Sequence, residues 1–340
     1  MNKFKLFFYF VLFFALLNLI IALLWSLKTT IKFSNYTPYS KEFTRSLNLT
    51  KSESLELYLE TWQRERLFEY DEFTGLKESK NINGNYVNIN NYGRLIKNNP
   101  KECEKKIFFY GGELIFGYDV TDYQTIPHFF KDMLENKKKN FCVFNFGRRT
   151  YNSTQENILF QKHILKNIIK KDDIIIFLDG NNENGNKKIL NTDFINENYN
   201  ELHQKYWKLG QSGIKYFLSL LPVTQLAEIL FKKFFNTNNL DKTIFKISNS
   251  DLEDIQNVFK NNLKIREAIC KINGINCFNF LLFINNDESS RKKYTIIKDN
   301  IKINDLTNFE NQKYLMNRYN SLSPDSNKSL AQKIFQIVIN

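Results

Sequence analysis

The sequence predicts an open α/β fold, a three-layer α/β/α sandwich with a mainly parallel sheet, preceded by one N-terminal transmembrane helix. Three observations predict it. Short apolar runs recur along the chain: Ile107 to Gly112 (IFFYGG), Phe141 to Gly147 (FCVFNFG), Ile174 to Gly180 (IIIFLDG) and Ile275 to Phe283 (INCFNFLLF). Such runs suit strands buried on both faces of a parallel sheet. The segments between them carry helix signals. Ser153-Thr154-Gln155-Glu156 reads as a capping box ahead of Ile158, Leu159, Leu165, Ile168 and Ile169, and a second box at Ser250 to Glu253 opens a helix that stops near Gly274. Finally, Leu6 to Leu27 carries no charge over a length close to the roughly 20 residues that cross a bilayer.

That first segment sets the organisation. A cleaved signal peptide would have a shorter apolar region ending in small residues, whereas Trp25, Leu27 and Lys28 crowd this exit, so an uncleaved anchor over 1–28 is expected. Lys28 and Lys32 weaken the contrast with Lys3 and Lys5, but a large C-terminal domain translocates largely regardless of charge. The N-terminus is therefore expected in the cytoplasm and the main domain outside it. Residues 29–70 read as a polar tether to about Ser52 and a charged helix from Ser54 to Tyr70; Gly75 to Arg94 has hairpin character. The main domain covers 71–340, with an insertion at about 184–248. Within it Ile214 to Phe235 is strongly apolar and reads as two helices divided by Pro222 and packed on the domain, or else as a lid or a segment dipping into a membrane surface.

The formal charge of +12 would suit an anionic partner, but the lysines are scattered among acids in a chain rich in Asn, Ile and Phe. No arginine-rich arm or zinc spacing points to nucleic acid. Of the four cysteines, Cys103 and Cys142 lie near two strand starts and Cys270 and Cys277 flank the turn at Gly274, so two neighbouring disulfides are open to the chain, as are four reduced thiols. No metal-ligand spacing and no cofactor motif is present.

In such sheets a ligand site lies beyond the carboxyl ends of the strands. Three strands leave through glycine there, at Gly111-Gly112, Gly147 and Gly180. Four blocks around these exits resemble the SGNH/GDSL hydrolases, in particular membrane-anchored members. The first is Gly111-Gly112-Glu113-Leu114-Ile115-Phe116-Gly117-Tyr118-Asp119-Val120, against the family's Gly-Gly-Ser-x-x-Phe-Gly-x-Gly-Val. The second is Asn145-Phe146-Gly147 followed by Tyr151, Ser153 and Gln155; the third is Gly180-Asn181-Asn182-Glu183; the last runs from Arg318 to Asn327, with Asp305-Leu306-Thr307 before it.

The resemblance implies a flavodoxin-like, SGNH-type sheet and a site for ester hydrolysis or acyl transfer, with a serine nucleophile, a histidine base, an aspartate and an oxyanion hole. Here the nucleophile position is Glu113, the aspartate position Arg318 and the histidine position Ser321; Gly147 and Asn182 keep the oxyanion half. His128 and His163 are expected on helix surfaces, and His203 has no motif around it. The resemblance thus implies a pseudoenzyme whose ligand candidates are Gly112, Glu113, Gly147, Arg148, Asn182 and Glu183, with a glycan, an acyl group or a cell-envelope protein as partner. Glu113 either fills the former oxyanion hole, with Arg148, Arg149 and Arg318 nearby, or faces solvent. A carbohydrate esterase or O-acyltransferase using displaced groups, or a carboxylate pair drawn from Glu113, Asp179 and Glu183, is the catalytic alternative. A histidine bonded to a hydroxyl beside the glycines, or glycine-ended strands at opposite rims of the sheet, would overturn the reading that the proton-transfer half is lost.

Overall fold

The structure, a computed structural model, describes residues 3–34, 38–62, 68–71, 74–78, 82–90, 93–148, 151–180, 221–223, 226, 249–282, 303–307 and 321–339. The chain forms two compact units, Met1–Tyr36 with Asn191–Ser248, and Thr37–Leu190 with Asn249–Asn340. Helix α1 (Lys3–Ser34) belongs to the first, and its Lys5–Leu27 stretch, with mean hydropathy 2.7, is long and apolar enough to cross a membrane. Most of the insertion at 184–248 lies outside the described residues.

The second unit holds the α/β sandwich. Strands β6 (Lys105–Gly111), β7 (Phe141–Asn145), β8 (Ile174–Gly180), β9 (Asn276–Leu282) and β10 (Asn304–Asp305) are parallel, in the spatial order β10-β9-β8-β6-β7. Numbered along the chain this is 2-1-3-4-5, the flavodoxin-like order. The expected four strands are present, and β10 adds a fifth. Side chains alternate between two cores. Ile107, Phe109, Ile176 and Leu178 face α5 (Ile126–Asn136) and α8 (Pro324–Ile339), while Phe108, Tyr110, Ile175 and Phe177 face α6 (Ser153–Leu165) and α7 (Asn249–Asn273). Every residue of β8 is buried, which is why its sequence is a continuous apolar run.

Beyond β7 the sheet continues antiparallel through β5 (Gly93–Arg94), β4 (Asn88–Asn90) and β3 (Ile82–Asn83), and β1 (Phe68–Asp71) pairs with β2 (Gly75–Glu78) in a separate hairpin. This corrects the helix expected from Ser54 to Tyr70. Helix α3 spans Lys51–Trp62, and Phe68 to Asp71 takes its backbone partners from Gly75 to Glu78 instead. The expected polar tether to Ser52 is corrected too. Helix α2 (Lys41–Ser46) follows Ser40, whose hydroxyl accepts the Phe43 N–H, and Tyr39, Phe43 and Leu47 are buried against Phe116, Tyr118 and Val120. Tyr39 and Phe43 are apolar enough to pay the ordering entropy of that segment.

Two caps differ by one residue from expectation or agree with it for a clear reason. Asn152, not Ser153, caps α6: its side chain accepts from the N–H of Thr154 and Gln155, and Gln155 reaches back to the Asn152 N–H. Glu156 is thereby released for another task. At the end of α7, Gly274 adopts φ +63°, the left-handed C-terminal position that glycine occupies without strain.

Both neighbouring disulfides are formed, Cys103–Cys142 and Cys270–Cys277, with Cα atoms 5.6 and 6.2 Å apart. They close loops of 39 and 7 residues. Loop entropy assigns about 4 kcal/mol to the first and about 2 kcal/mol to the second. Replacing Cys103 and Cys142 with serine is therefore expected to lower the urea midpoint of the detergent-solubilised chain more than replacing Cys270 and Cys277.

Candidate functional site

Because β6, β7 and β8 are parallel neighbours, Gly111, Gly147 and Gly180 lie at one rim. The order of strands reverses at β6, so the crevice between β6 and β8 is the switch point where such folds place ligands. Glu113 begins a one-turn helix, α4 (Glu113–Phe116), directly above β6. It is half-buried. Gly112, also half-buried, precedes it.

Each rim glycine has a steric reason to be glycine. A Cβ on Gly111 would meet Ile115 Cγ1 at 2.6 Å and Leu178 O at 2.9 Å; one on Gly147 would collide with the backbone N of Phe116, and one on Gly180 with Leu282 O. The close packing of α4 on β7, and of β8 on β9, accounts for them. The Gly147 N–H, expected at an oxyanion, donates to Asn145 Oδ1 at 2.9 Å. Asn145, itself buried, donates onward to Ile115 O at 2.7 Å, so it locks the strand end to α4. Arg148 extends the same join by donating its N–H to Gly111 O at 2.9 Å. Asn182, Glu183, Arg149 and Arg318 lie outside the described residues, as does His203.

Ser321, expected from the resemblance at a histidine position, donates to Asp119 Oδ2 at 2.8 Å, and Tyr39 donates to Asp119 Oδ1 at 2.7 Å. Asp119 has no exposed surface and adopts φ +60°, a left-handed conformation that Asp tolerates better than most residues. It stands where the resembled block has its last glycine. Its loop is tied down by Arg94, also fully buried. Arg94 Nε donates to Asp122 Oδ1 at 2.9 Å, Nη1 to the carbonyls of Phe116 and Gly117, and Nη2 to Val120 O at 2.6 Å. Burial lowers the Arg94 pKa, with Asp122 opposing that shift. Ser323 caps the start of α8, accepting the Ser326 N–H at 3.3 Å and sharing a hydrogen bond with the Ser326 hydroxyl.

Asp179 is the second acid the sequence drew attention to. It sits at the end of β8 but turns to the α6/α7 face, where Arg266 Nη1 and Nη2 grip its two oxygens at 2.6 and 3.0 Å. Arg266 also donates to Glu156 Oε2 at 3.0 Å and Asn157 Oδ1 at 2.5 Å, and stacks over the Phe177 ring at 3.9 Å. A carboxylate held so by a buried guanidinium is a structural ion pair, not a free base. The carboxylate pair built on Asp179 is corrected accordingly.

The histidines are corrected as well, being buried rather than on helix surfaces. His128 packs edge-on against Tyr123 and lies 3.5 Å from Asp132; burial lowers its pKa. His163 Nδ1 is 2.6 Å from the Tyr110 hydroxyl, and Tyr110 immediately precedes Gly111. This is a histidine bonded to a hydroxyl beside the glycines, and it counts against the expectation that the proton-transfer half is lost. Burial, reinforced by the Arg148 charge, pushes the His163 pKa down to about 3, and burial drives the Tyr110 phenol well above its usual value. At neutral pH the pair therefore holds a neutral imidazole against a neutral phenol, enclosed by Phe146, Phe160 and Phe177. The pair packs in the core on the α6/α7 face of the sheet.

Asp119, Tyr39, Arg94 and Arg266 escaped the sequence reading. Asp119 alone left a signal, an acid in a glycine position.

Two outcomes test this arrangement. Asp119→Asn keeps the left-handed backbone but replaces one acceptor with a donor, and is expected to cost about 1–3 kcal/mol in denaturant unfolding. His163 has a folded pKa of about 3 against an ordinary 6.5. Between those values the unfolded chain binds the extra proton, so stability falls as pH drops from about 6.5 toward 3. His163→Gln is expected to remove ~1.4 kcal/mol per pH unit of that slope between pH 6 and 4, leaving the part due to His128.

No family model and no curated protein matches the chain. Among solved structures it is similar to a protein described as lipolytic, of the G-D-S-L family, from Desulfitobacterium hafniense, at 12% identity and TM-score 0.37, covering 69% of this chain and 99% of that one. It is also similar to a psychrotrophic esterase from Pseudoalteromonas sp., at 10% identity and TM-score 0.37 over 69% and 97% of the two chains. A third is described as an acylhydrolase, from Bacteroides fragilis, at 10% identity and TM-score 0.33 over 71% and 91%. Likeness at this level carries no function across, and the proposals below rest on this chain's own residues.

Proposed function

We propose that the chain is a membrane-anchored, extracytoplasmic SGNH-like domain that performs no ester chemistry and serves as a binding or scaffold module of the cell envelope. The Ser321–Asp119–Tyr39 hydrogen bonds carry this reading. Where a hydrolase of this type needs an imidazole to take a proton from its nucleophile, this chain has a hydroxyl engaged by a buried carboxylate that also serves Tyr39. Glu113 at the nucleophile position and the Gly147 N–H donated to Asn145 support the same reading. The Ser321 hydroxyl has no imidazole beside it and shares its carboxylate with Tyr39, and Ser323 is engaged in capping α8, so neither is arranged as the serine of an acyl-transfer triad.

The location is supported separately. Helix α1 offers a span, and two disulfides in one unit suit an oxidising compartment. The half-buried rim around Glu113 and Arg148 is the place for a glycan, an acyl chain or a protein segment to bind, with polysaccharide assembly or modification as the setting.

Purified full-length chain is expected to resist fluorophosphonate labelling and to leave a chromogenic acetyl ester unhydrolysed. Labelling at Ser321 or Ser323 would establish the catalytic alternative instead. Glu113→Ser combined with Arg318→Asp and Ser321→His is expected to introduce measurable esterase activity if these positions are the family's triad positions.

A further inference from the structure

Both disulfides staple the same end of the sheet, the end away from the rim described above. Cys103 precedes β6, Cys142 is the second residue of β7, Cys270 lies in the last turn of α7 and Cys277 is the second residue of β9. The parallel register sets Lys105 level with Phe141 and Ile174 level with Asn276, so the four strands begin along one rim, where α5, α6 and α7 end. Every connection entering these strands lies within the described residues, and the connections are tied together. Glu104 N–H donates to Asn140 O and Asp172 N–H to Gly274 O, each at 2.9 Å. The Asp173 carboxylate accepts the backbone N–H of Lys106 at 3.3 Å and of Lys170 at 2.7 Å.

This rigid rim is strongly basic. Segments 101–106, 137–140, 166–173 and 271–275 carry ten lysines against four carboxylates. One of the four, Asp173, is buried and turned inward onto those two N–H groups. Lys137, Lys138, Lys139, Lys166, Lys170 and Lys171 are all exposed. From this lysine field two aliphatic side chains stand out: Leu165, the last residue of α6, is 83% exposed, and Ile272, near the end of the neighbouring α7, is 82% exposed. Among the described residues of this unit, the next most exposed large apolar side chain, Tyr123, is at 49%. Two branched aliphatics held in water on well-formed helices, surrounded by cations, match the boundary of an anionic bilayer, where headgroups meet the charges and acyl chains meet the aliphatics.

We propose that this rim docks on anionic phospholipid headgroups. The inference rests on the reading of 5–27 as a membrane span, which keeps the domain beside lipid. Charge complementarity selects the partner, and Leu165 and Ile272 select lipid over an anionic polysaccharide, which would engage the lysines and leave the aliphatics in water. Each basic side chain near an anionic leaflet raises partitioning by about fivefold, and the attraction fades within a Debye length.

The test is amine footprinting of the full chain in nanodiscs, read lysine by lysine with a water-soluble acetylating reagent. In discs holding about 30% phosphatidylglycerol, Lys137–Lys139, Lys166, Lys170 and Lys171 are expected to react about fivefold more slowly than in phosphatidylcholine alone. Lys328, exposed elsewhere, is expected to react equally in both. The protection is expected to vanish near 1 M salt, where screening acts within ~3 Å. Leu165→Ser with Ile272→Ser, at exposed positions that leave the core intact, is expected to reduce it. Equal labelling of the rim in the two lipids would overturn the proposal, as would protection by soluble dextran sulfate with none from phosphatidylglycerol. Extraction of the chain by alkaline carbonate would sink the span alone, since the lipid contrast is read with the chain inserted or merely mixed with vesicles of the same two compositions.

Discussion

The guanidinium of Arg94 is the constraint on which the site side of this domain depends. Its side chain has no exposed surface, and its donors go to one carboxylate and three backbone carbonyls, at Phe116, Gly117 and Val120. Those carbonyls follow a one-turn helix and would otherwise be buried without partners, at a cost of about 1–3 kcal/mol each. By satisfying them Arg94 fixes the loop that carries Asp119. Asp119 in turn binds Tyr39 from the start of the unit and Ser321 from its end. One buried cation thus sets the geometry through which three distant parts of the chain meet.

A second buried guanidinium plays the matching role on the other side of the sheet. Arg266 collects Asp179, Glu156 and Asn157, and Asn157 and Asn262 are joined at 3.2 Å. The cluster stitches α7 to α6 and to the end of β8. Ion pairs of this kind add less stability than their distances suggest, because desolvation offsets much of the attraction. Losing one partner is far more costly than losing both. Their effect here is to specify which helix lies against which strand, and to withdraw Asp179 from the rim.

The fold was largely legible in the chain. Isoleucine and phenylalanine runs buried on two faces leave little choice but parallel strands, and Gly274 marked a helix end because only a left-handed residue fits there. The site was legible only in outline. The glycines at 111, 147 and 180 suggested room for a ligand, and at each a Cβ would meet a neighbouring backbone or side chain, so close packing accounts for them. Charged Ser54 to Tyr70 misled because helical and extended patterns overlap in short segments, and pairing with Gly75–Glu78 decided the matter. His163 misled because a polar residue on a helix is usually at the surface, whereas here the Tyr110 hydroxyl gives it a buried partner.

By itself the sequence determined what local order can encode: the apolar N-terminal helix and the alternation of buried strands with helices. These follow from periodicity and residue type within a few positions. The tertiary structure alone decided which groups satisfy one another. Asp119 and Ser321 are 202 residues apart, and Asp179 and Arg266 are 87 apart. A hydrogen bond depends on the direction and distance of two groups after folding, and neither is written in the spacing of residues along the chain.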